Sequence, residues 1–445
     1  MSGLVDSVKQ QLTSLPNLKK VVVAYSGGVD SHVLLHGCSS LIQTFPHIHF
    51  HAVYINHDLH DDSDKWCYHC EKVSKTLDIN FTSVKVAVEV LRGDGPEQAA
   101  RHARYDALQH FIDADSVLLT AQHQDDQAET LMLQLLRGAG VNGLASMPAL
   151  NAFGEGQIAR PLLTFTQQEI MDYALDHQLS WVEDPSNLNT SLDRNFLRQR
   201  VIPIIKERWP AFSNTTSRSA VHCAEASSLL AKQAAKFIME DEKDVLPLAA
   251  VNCLDDEFQR LIIRQWLANN GVRMPSQKVL HQMQNEITDE PACSALIEWA
   301  GNQVRLFDGS FFLLKKPDKP QKLNVAEWVC GDVELANNLG TLSLSDSQIG
   351  GLDKEKWKRS KVTIQARSGG ECIKLINRQG TKKLKKLFYE YKVFPWARDL
   401  IPLIYLGDKL AAVADIWLAE EFVADKDGQG YEILWHHPNF KIRRQ

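Results

Sequence analysis

The run Val21 to Ser31, VVVAYSGGVDS, carries an apolar strand straight into two adjacent glycines and then into the helical stretch SHVLLHGC. A strand that ends in Gly-Gly and restarts as a helix turns tightly, brings backbone N–H groups against an anion and aims a helix N-terminus at it. The segment therefore reads as a phosphate cradle, with Ser26, Gly27, Gly28, Val29, Asp30 and Ser31 as its nucleotide-binding residues. An ordinary strand-turn-helix also tolerates Gly-Gly, but has no need of Ser26, Asp30 and Ser31 around it. The sequence G-x-x-x-x-G-K-[ST] occurs nowhere, which disfavours phosphoryl transfer by P-loop machinery.

Around this segment the first third of the chain alternates strand-like and amphipathic helical runs. LKKVVVAYS, IHFHAVYIN, INFTSVKV and SVLLTA read as strands; SHVLLHGCSSLIQ, Asp64 to Leu77, PEQAARHARYDALQHFIDA and DDQAETLMLQLLRG read as helices. That order predicts an α/β fold with a parallel sheet and crossover helices, its ligands outside the carboxyl ends of the strands. Beyond about Pro210 helical periodicity dominates, with long helices in TSRSAVHCAEASSLLAKQAAKFI and EFQRLIIRQWLAN. A Pro-punctuated charged linker, KKPDKPQK, then leads to short β-type runs such as GTLSLS, KVTIQA, LIPLIYL and KLAAVADIWL. At 445 residues the chain exceeds what one core sustains. The expected division is a catalytic domain at 1–215, a helical middle domain at 216–318 and a small mixed α+β domain at 319–445.

No segment approaches the roughly 18 uninterrupted apolar residues of a membrane span, and the first residues lack the pattern of a secretory signal. A cytoplasmic protein with no membrane partner is expected. The eight cysteines are scattered, as buried thiols of a reducing compartment are. Cys67 and Cys70 form a C-x-x-C with no second ligand pair nearby, so packing is favoured over a metal or redox site. His47, His49 and His51 alternate along a predicted strand without a carboxylate or cysteine beside them, and read as a surface or packed row.

A second constellation is TAQHQDDQAETLMLQLLRGAG, Thr120 to Gly140, where His123, Asp125, Asp126 and Glu129 gather between a buried strand and the next helix. Asp126 and Glu129 share one helix face, and converging carboxylates bind hard cations such as Mg²⁺ when phosphates supply the other ligands. Taken alone, the run could be a helix capped by Asp125 with a solvated acidic first turn. Gly138 to Gly143 spells G-x-G-x-x-G, but it follows a helix instead of a strand and reads as a helix end plus loop.

Net charge is −6, yet Arg367 to Arg398 holds nine Lys or Arg against two Glu. Its core, RQGTKKLKKLFYEYKVFPWARD, interleaves lysines and arginines with Phe388, Tyr389, Tyr391 and Trp396. Clustered cations neutralise phosphates and a nearby aromatic can stack on an unpaired base, so this segment is the candidate RNA-contacting surface.

These motifs together resemble a known family. Ser26-Gly27-Gly28-Val29-Asp30-Ser31 is similar to the signature of the PP-loop, or N-type ATP pyrophosphatase, superfamily, whose domain is adenine nucleotide alpha-hydrolase-like. His123 to Thr130 resembles the H-x-D-D-x-x-E-T segment of lysidine synthases; EQAARHARY, WVEDPSNLNTSLDRNFLRQR and the basic carboxy-terminal run resemble further segments of that family. One departure stands out: Phe394 precedes Pro395-Trp396 where the family pattern has Pro-Pro-Trp.

The resemblance implies a ligase that uses ATP and Mg²⁺ to join free L-lysine to C2 of the wobble cytidine in the CAU anticodon of tRNA(Ile). An adenylated cytidine would be the intermediate, AMP and pyrophosphate the by-products, and the change would be from AUG to AUA reading and from Met to Ile identity. It implies Asp30, Arg104, His123, Asp126 and Glu129 as catalytic residues and Asp30 and Asp126 as Mg²⁺ ligands. Asn56 and His57, ending the second strand, would meet the nucleotide. Arg194, Asn195, Arg198, Arg378, Lys382, Lys383, Lys385, Lys386, Trp396 and Arg398 are the implied tRNA contacts. A base is needed to deprotonate the lysine amine, with Glu129 and His123 both open. A homodimer is compatible with the resemblance. Two other readings stay open: a PP-loop tRNA thiolase, which would need Cys67 and Cys70, and a non-catalytic tRNA-binding protein that keeps a relict nucleotide pocket.

Overall fold

The computed structural model describes residues 2–57, 62–88, 96–287, 295–316, 323, 326–336, 339–347, 350–376, 378–425 and 430–437. The chain divides into two compact units, Met1–Lys232 and Gln233–Gln445.

The first unit opens with α1 (Ser2–Thr13), followed by β1 (Lys20–Ala24), α2 (Val29–Ser39), β2 (His49–Asn56), α3 (Ser63–Thr76) and β3 (Asn80–Lys85). Next come α4 (Pro96–Gln109), β4 (Ser116–Leu119), α5 (Gln124–Leu136), the short α6 (Val141–Leu144), β5 (Leu150–Phe153), β6 (Gly156–Ala159) and α7 (Gln167–Asp176). The strands form one sheet in the order β3-β2-β1-β4-β6-β5. Its first five members run parallel and only β5 is antiparallel, in a hairpin with β6. Alternate residues of β1 feed opposite faces. Val21 and Val23 pack with Val8, Leu34 and Ile170 under α1, α2 and α7, while Val22 packs with Val53, Leu108, Leu118 and Ile158 on the α4 side. A strand buried on both faces explains why VVV is unbroken by polar residues. The chain runs outward from β1 to β3 and returns to lay β4 on the other side of β1. This reversal opens a crevice beyond the carboxyl ends of β1 and β4, where an open α/β sheet binds its ligands.

The unit continues with α8 (Asp193–Phe196), a π-turn over Leu197–Val201, α9 (Ile202–Arg208) and α10 (Phe212–Ala235), the last of which runs past its end. The helix end predicted at Gly138 is present. Gly138 has φ +69°, its N–H reaches Leu135 O and that of Ala139 reaches Gln134 O, which is the paired bonding of a left-handed glycine cap. The histidine row is split: His47 precedes β2, and His51 Nε2 lies 2.9 Å from Thr82 Oγ1 against the edge of Phe111.

In the second unit, β7 (Val245–Pro247), α11 (Asp256–Asn269), α12 (Gln277–Asn285), β8 (Leu296–Trp299), β9 (Asn302–Phe307) and β10 (Ser310–Lys315) come first. Of the predicted helices, α10 is present in the first unit and α11 here, where the antiparallel sheet β7-β10-β9-β8 shares a core with Trp266, Leu280, Met283 and Phe311. From Pro317 onward the predicted linker lies outside the described residues.

The remaining elements are β11 (Ala326–Glu327), β12 (Val333–Glu334), β13 (Thr341–Ser347), β14 (Leu352–Asp353), α13 (Lys354–Arg359), β15 (Val362–Gln365), β16 (Cys372–Ile373) and β17 (Lys382–Lys383). They are followed by α14 (Leu384–Glu390), β18 (Leu403–Leu406), β19 (Lys409–Val413), β20 (Trp417–Leu418) and β21 (Gly430–His436). Two antiparallel sheets, β11-β15-β18-β19-β20 and β12-β13-β21-β14, share a core around Trp328, Trp357, Phe388, Ile404 and Trp435.

Candidate active site

The glycine loop ends β1 and starts α2. Gly27 adopts φ +83°, and a Cβ there would sit 2.9 Å from Cys70 Sγ, so the position excludes a side chain on both counts. Val182 N–H donates to Gly27 O at 2.9 Å, tying the loop to the segment that follows α7. The Ser31 hydroxyl accepts from Ser26 N–H at 3.2 Å and donates to Gly28 O at 2.9 Å, bracing the turn from inside. Gly28 is the N-cap of α2 and contributes no side-chain cap, so the first turn of this helix meets the crevice with its N–H groups unclaimed by a capping side chain.

At the start of α5 the cap is His123, not Asp125. Its Nδ1 accepts from Asp125 N–H at 3.2 Å, and Asp126 Oδ2 accepts from His123 N–H at 3.2 Å. With Nδ1 so engaged, the imidazole proton sits on Nε2, which faces Asp126 Oδ2 at 3.3 Å and Asp30 Oδ2 at 3.9 Å. Histidine is an unusual cap, and here one nitrogen serves the helix while the other faces two carboxylates from separate motifs.

Asp125 and Asp126, adjacent in sequence, face different surroundings. Asp125 Oδ1 accepts from Lys206 Nζ and from Ser213 Oγ at 2.5 Å, and its Oδ2 accepts from Gln167 N–H at 3.0 Å. Burial opposes its charge, but these three donors hold the carboxyl down at about 2. The solvated acidic turn considered from sequence is therefore replaced by an anchored one. Asp126 instead points with Glu129 toward Arg198. The guanidinium donates from Nε to Glu129 Oε1 at 2.5 Å and from Nη2 to both Glu129 Oε2, at 2.9 Å, and Asp126 Oδ1, at 2.7 Å. Arg194, one helical turn earlier, reaches Thr130 Oγ1 at 3.0 Å and lies 3.7 Å from Glu129 Oε2. Burial pushes the Glu129 carboxyl up against the pull of Arg198. Burial also raises Asp30, which Asp126 pushes further and His123 opposes.

The structure thus brings Asp30, His123, Asp126 and Glu129 together, and adds Arg194 and Arg198 to them. Asn195 is buried beside these arginines and donates to Asn189 O at 3.0 Å. Asn56 is buried at the end of β2, its amide 3.5 Å from Asp64 Oδ1. At the same strand end Arg104 Nε donates to His57 Nε2 at 3.4 Å; burial and then that cation push His57 down to about 4, keeping it neutral. Sequence reasoning missed Gln167, Lys206 and Ser213. The only local signal was T-x-x-E at Thr166–Glu169, a capping box that marks where α7 starts.

The carboxy-terminal basic residues separate into two sets. Lys383, Lys385 and Lys386 are exposed, as is Tyr389 on the same short helix α14, whose other face buries Leu384, Leu387 and Phe388. Arg378 and Lys382 both pair with Glu390, at 2.8 and 3.1 Å. Trp396 is stacked on Phe394 at 4.9 Å and lies edge-on to Phe307, with Phe312 beside it and Arg305 over its face. Arg398 Nε donates to Val393 O at 3.0 Å.

Comparison with known proteins places this geometry. Residues 4–205 match a family model described as a PP-loop domain, 246–312 one described as the TilS substrate binding domain, and 362–435 one described as the TilS substrate C-terminal domain. A tRNA(Ile)-lysidine synthase of Coxiella burnetii is 38% identical, over 95% of this chain and 94% of that one. The chain belongs to the tRNA(Ile)-lysidine synthase family. Relatives of the same description from Methylococcus capsulatus (37% identical, 93% of this chain and 95% of the relative) and Proteus mirabilis (34%, 97% and 98%) match over comparable lengths. Membership implies use of ATP at the PP-loop, and it joins the three matched segments into one ligase-type enzyme of tRNA modification.

Proposed function

We propose that this chain adenylates the C2 carbonyl oxygen of the wobble cytidine in the CAU anticodon of tRNA(Ile), releasing pyrophosphate, and then joins free L-lysine to C2, where the amine displaces AMP. The observation that carries the reading is the convergence of the α2 N-terminus with Asp30, Asp126 and Glu129 in one crevice, in a chain alike over nearly its whole length to tRNA(Ile)-lysidine synthases. The cytidine carbonyl oxygen attacks the α-phosphate while the loop N–H groups and the helix end hold the departing pyrophosphate. Asp30 and Asp126 are a fitting pair of ligands for Mg²⁺, since two half-buried carboxylates from separate motifs face the same imidazole and offer the oxygen donors that a hard dication takes. When bound, Mg²⁺ would offset charge on the phosphates.

For the second step the lysine ε-ammonium must lose a proton. Glu129 suits this better than His123, because burial raises its basicity whereas His123 already presents a proton on Nε2. His123 then orients Asp30 and Asp126. Arg198 balances the acids until substrate charge arrives. Arg104 and His57 line the strand end where nucleotide is met. The exposed Lys383, Lys385, Lys386 and Tyr389 form the tRNA-contacting face of the second unit. On this reading catalysis is assigned to 1–215 and RNA binding to 319–445.

The thiolase reading fares worse on chemistry. Burial pushes the Cys70 thiol up to about 12, and its sulfur is packed beneath Gly27, so it is a poor nucleophile at neutral pH. The test is AMP and pyrophosphate release with CAU-anticodon tRNA(Ile), with and without lysine, while labelled lysine is followed into RNA. Lysine incorporation matched to AMP release is expected; adenylation without lysine transfer would return the thiolase reading.

A further inference from the structure

We infer that Gln167 is the positioning residue for Asp30, the aspartate of the glycine loop. The inference rests on the ATP-activating reading above. Gln167 is the first residue of α7, and that start is fixed by a reciprocal cap: Thr166 Oγ1 accepts from Glu169 N–H, and Glu169 Oε2 accepts from Thr166 N–H at 2.8 Å. Phe165 O accepts from Gln124 N–H at 2.8 Å, holding the entry to α7 against the start of α5. From this fixed point Gln167 makes two bonds in different directions. Its backbone N–H donates to Asp125 Oδ2 at 3.0 Å, and its side-chain Nε2 donates to Asp30 Oδ1 at 2.9 Å. One residue therefore registers the PP-loop aspartate against the anchored member of the Asp125-Asp126 pair.

The choice of an amide has a chemical consequence. A lysine or arginine at this position would neutralise Asp30, as Arg198 does Glu129. The glutamine N–H fixes the carboxylate through one oxygen, adds no charge, and leaves Oδ2 turned toward His123 and the acid cluster. Asp30 is thus held by an uncharged donor at one oxygen, with the other left toward the acid cluster.

Three variants of the full chain, Gln167→Ala, Gln167→Glu and Gln167→Asn, test this through equilibrium ATP affinity without tRNA and through AMP release with tRNA. A hydrogen bond to a charged group of this kind corresponds to about ten-fold or more in rate when lost. Gln167→Ala should lower kcat for AMP release by about that factor and leave the KM for lysine unchanged. Gln167→Glu should be worse in both ATP affinity and AMP release, because its carboxylate faces Asp30. An acid in the first turn favours a helix, so a role confined to starting α7 makes the opposite prediction. Gln167→Asn should recover part of the rate. A residue that served only to start α7 would reverse the Glu and Ala ranking, and wild-type ATP affinity and AMP release in Gln167→Glu would overturn the inference. Because ATP affinity is read with no tRNA present, the ranking decides the matter even if lysine proves not to be the second substrate.

Discussion

Replacing Arg198 with Met removes the only cation bonded to both Asp126 and Glu129 among the described residues. The Glu129 side chain is 2% exposed, and Arg198, at 41%, keeps part of itself in water. Breaking a fully buried pair costs about 3–5 kcal/mol; solvent at the guanidinium reduces this to about 2–3 kcal/mol here. The loss should depend on pH, with a definite sign. Burial already places the folded Glu129 carboxyl above its ordinary value, and without Arg198 it rises further. Above the unfolded value the folded chain must then either hold an unwelcome charge or bind a proton, so the penalty grows by up to about 1.4 kcal/mol per pH unit until the folded value is reached. The Arg198→Met deficit relative to wild type should therefore be larger at pH 8 than at pH 5.5. Urea unfolding of the full chain, followed through the transition that ATP shifts, measures it. The double variant Arg198→Met/Glu129→Gln should recover most of the stability at pH 8, though not the activity. A deficit equal at both pH values, or a double variant no more stable than the single, would refute the account of a counterion buried with its acids.

Three further outcomes can be checked independently. Changing Lys383, Lys385 and Lys386 together to Ala should weaken tRNA binding and flatten the plot of log affinity against log salt by about 2–3, with ATP affinity unchanged; an unaltered slope removes these lysines from the interface. Trp396→Ala should destabilise the second unit by about 2–3 kcal/mol, less than a fully buried Trp would. It should leave that salt slope intact, because Trp396 packs on Phe307, Phe312 and Phe394; an RNA-binding defect in a variant of normal stability would assign it to stacking on a base. Gly27→Ala should weaken ATP binding at least ten-fold, from the left-handed backbone and the Cys70 contact together. Adding Cys70→Ala should restore only the part due to the contact, and full restoration would exclude a backbone contribution.

Much of the first unit was legible because its signals are local. Unbroken apolar runs such as VVV mark strands buried on two faces, Gly-Gly marks the left-handed turn at Gly27, and the spacing of Asp126 and Glu129 puts both on one face of α5. The middle sheet was less visible. SFFLLK is as apolar as a buried helical turn, and only its pairing with β9 and β7 makes it a strand. Phe388, Tyr389, Tyr391 and Trp396 of the basic run looked equivalent in sequence, whereas folding buries Phe388, sets Arg378 over Tyr391, packs Trp396 on Phe394 and leaves Tyr389 exposed.

By itself the sequence determined the parallel sheet, the glycine loop after its first strand and the acids gathered at the start of α5, since each depends on residue type and short spacing. Tertiary structure alone decided which acid does what. Asp125 and Asp126 are neighbours in sequence, yet one is claimed by Gln167, Lys206 and Ser213 and the other by Arg198, all from at least 42 residues away. A side chain's charge state and direction follow from the donors that packing brings to it, and those donors come from helices whose positions no local pattern encodes.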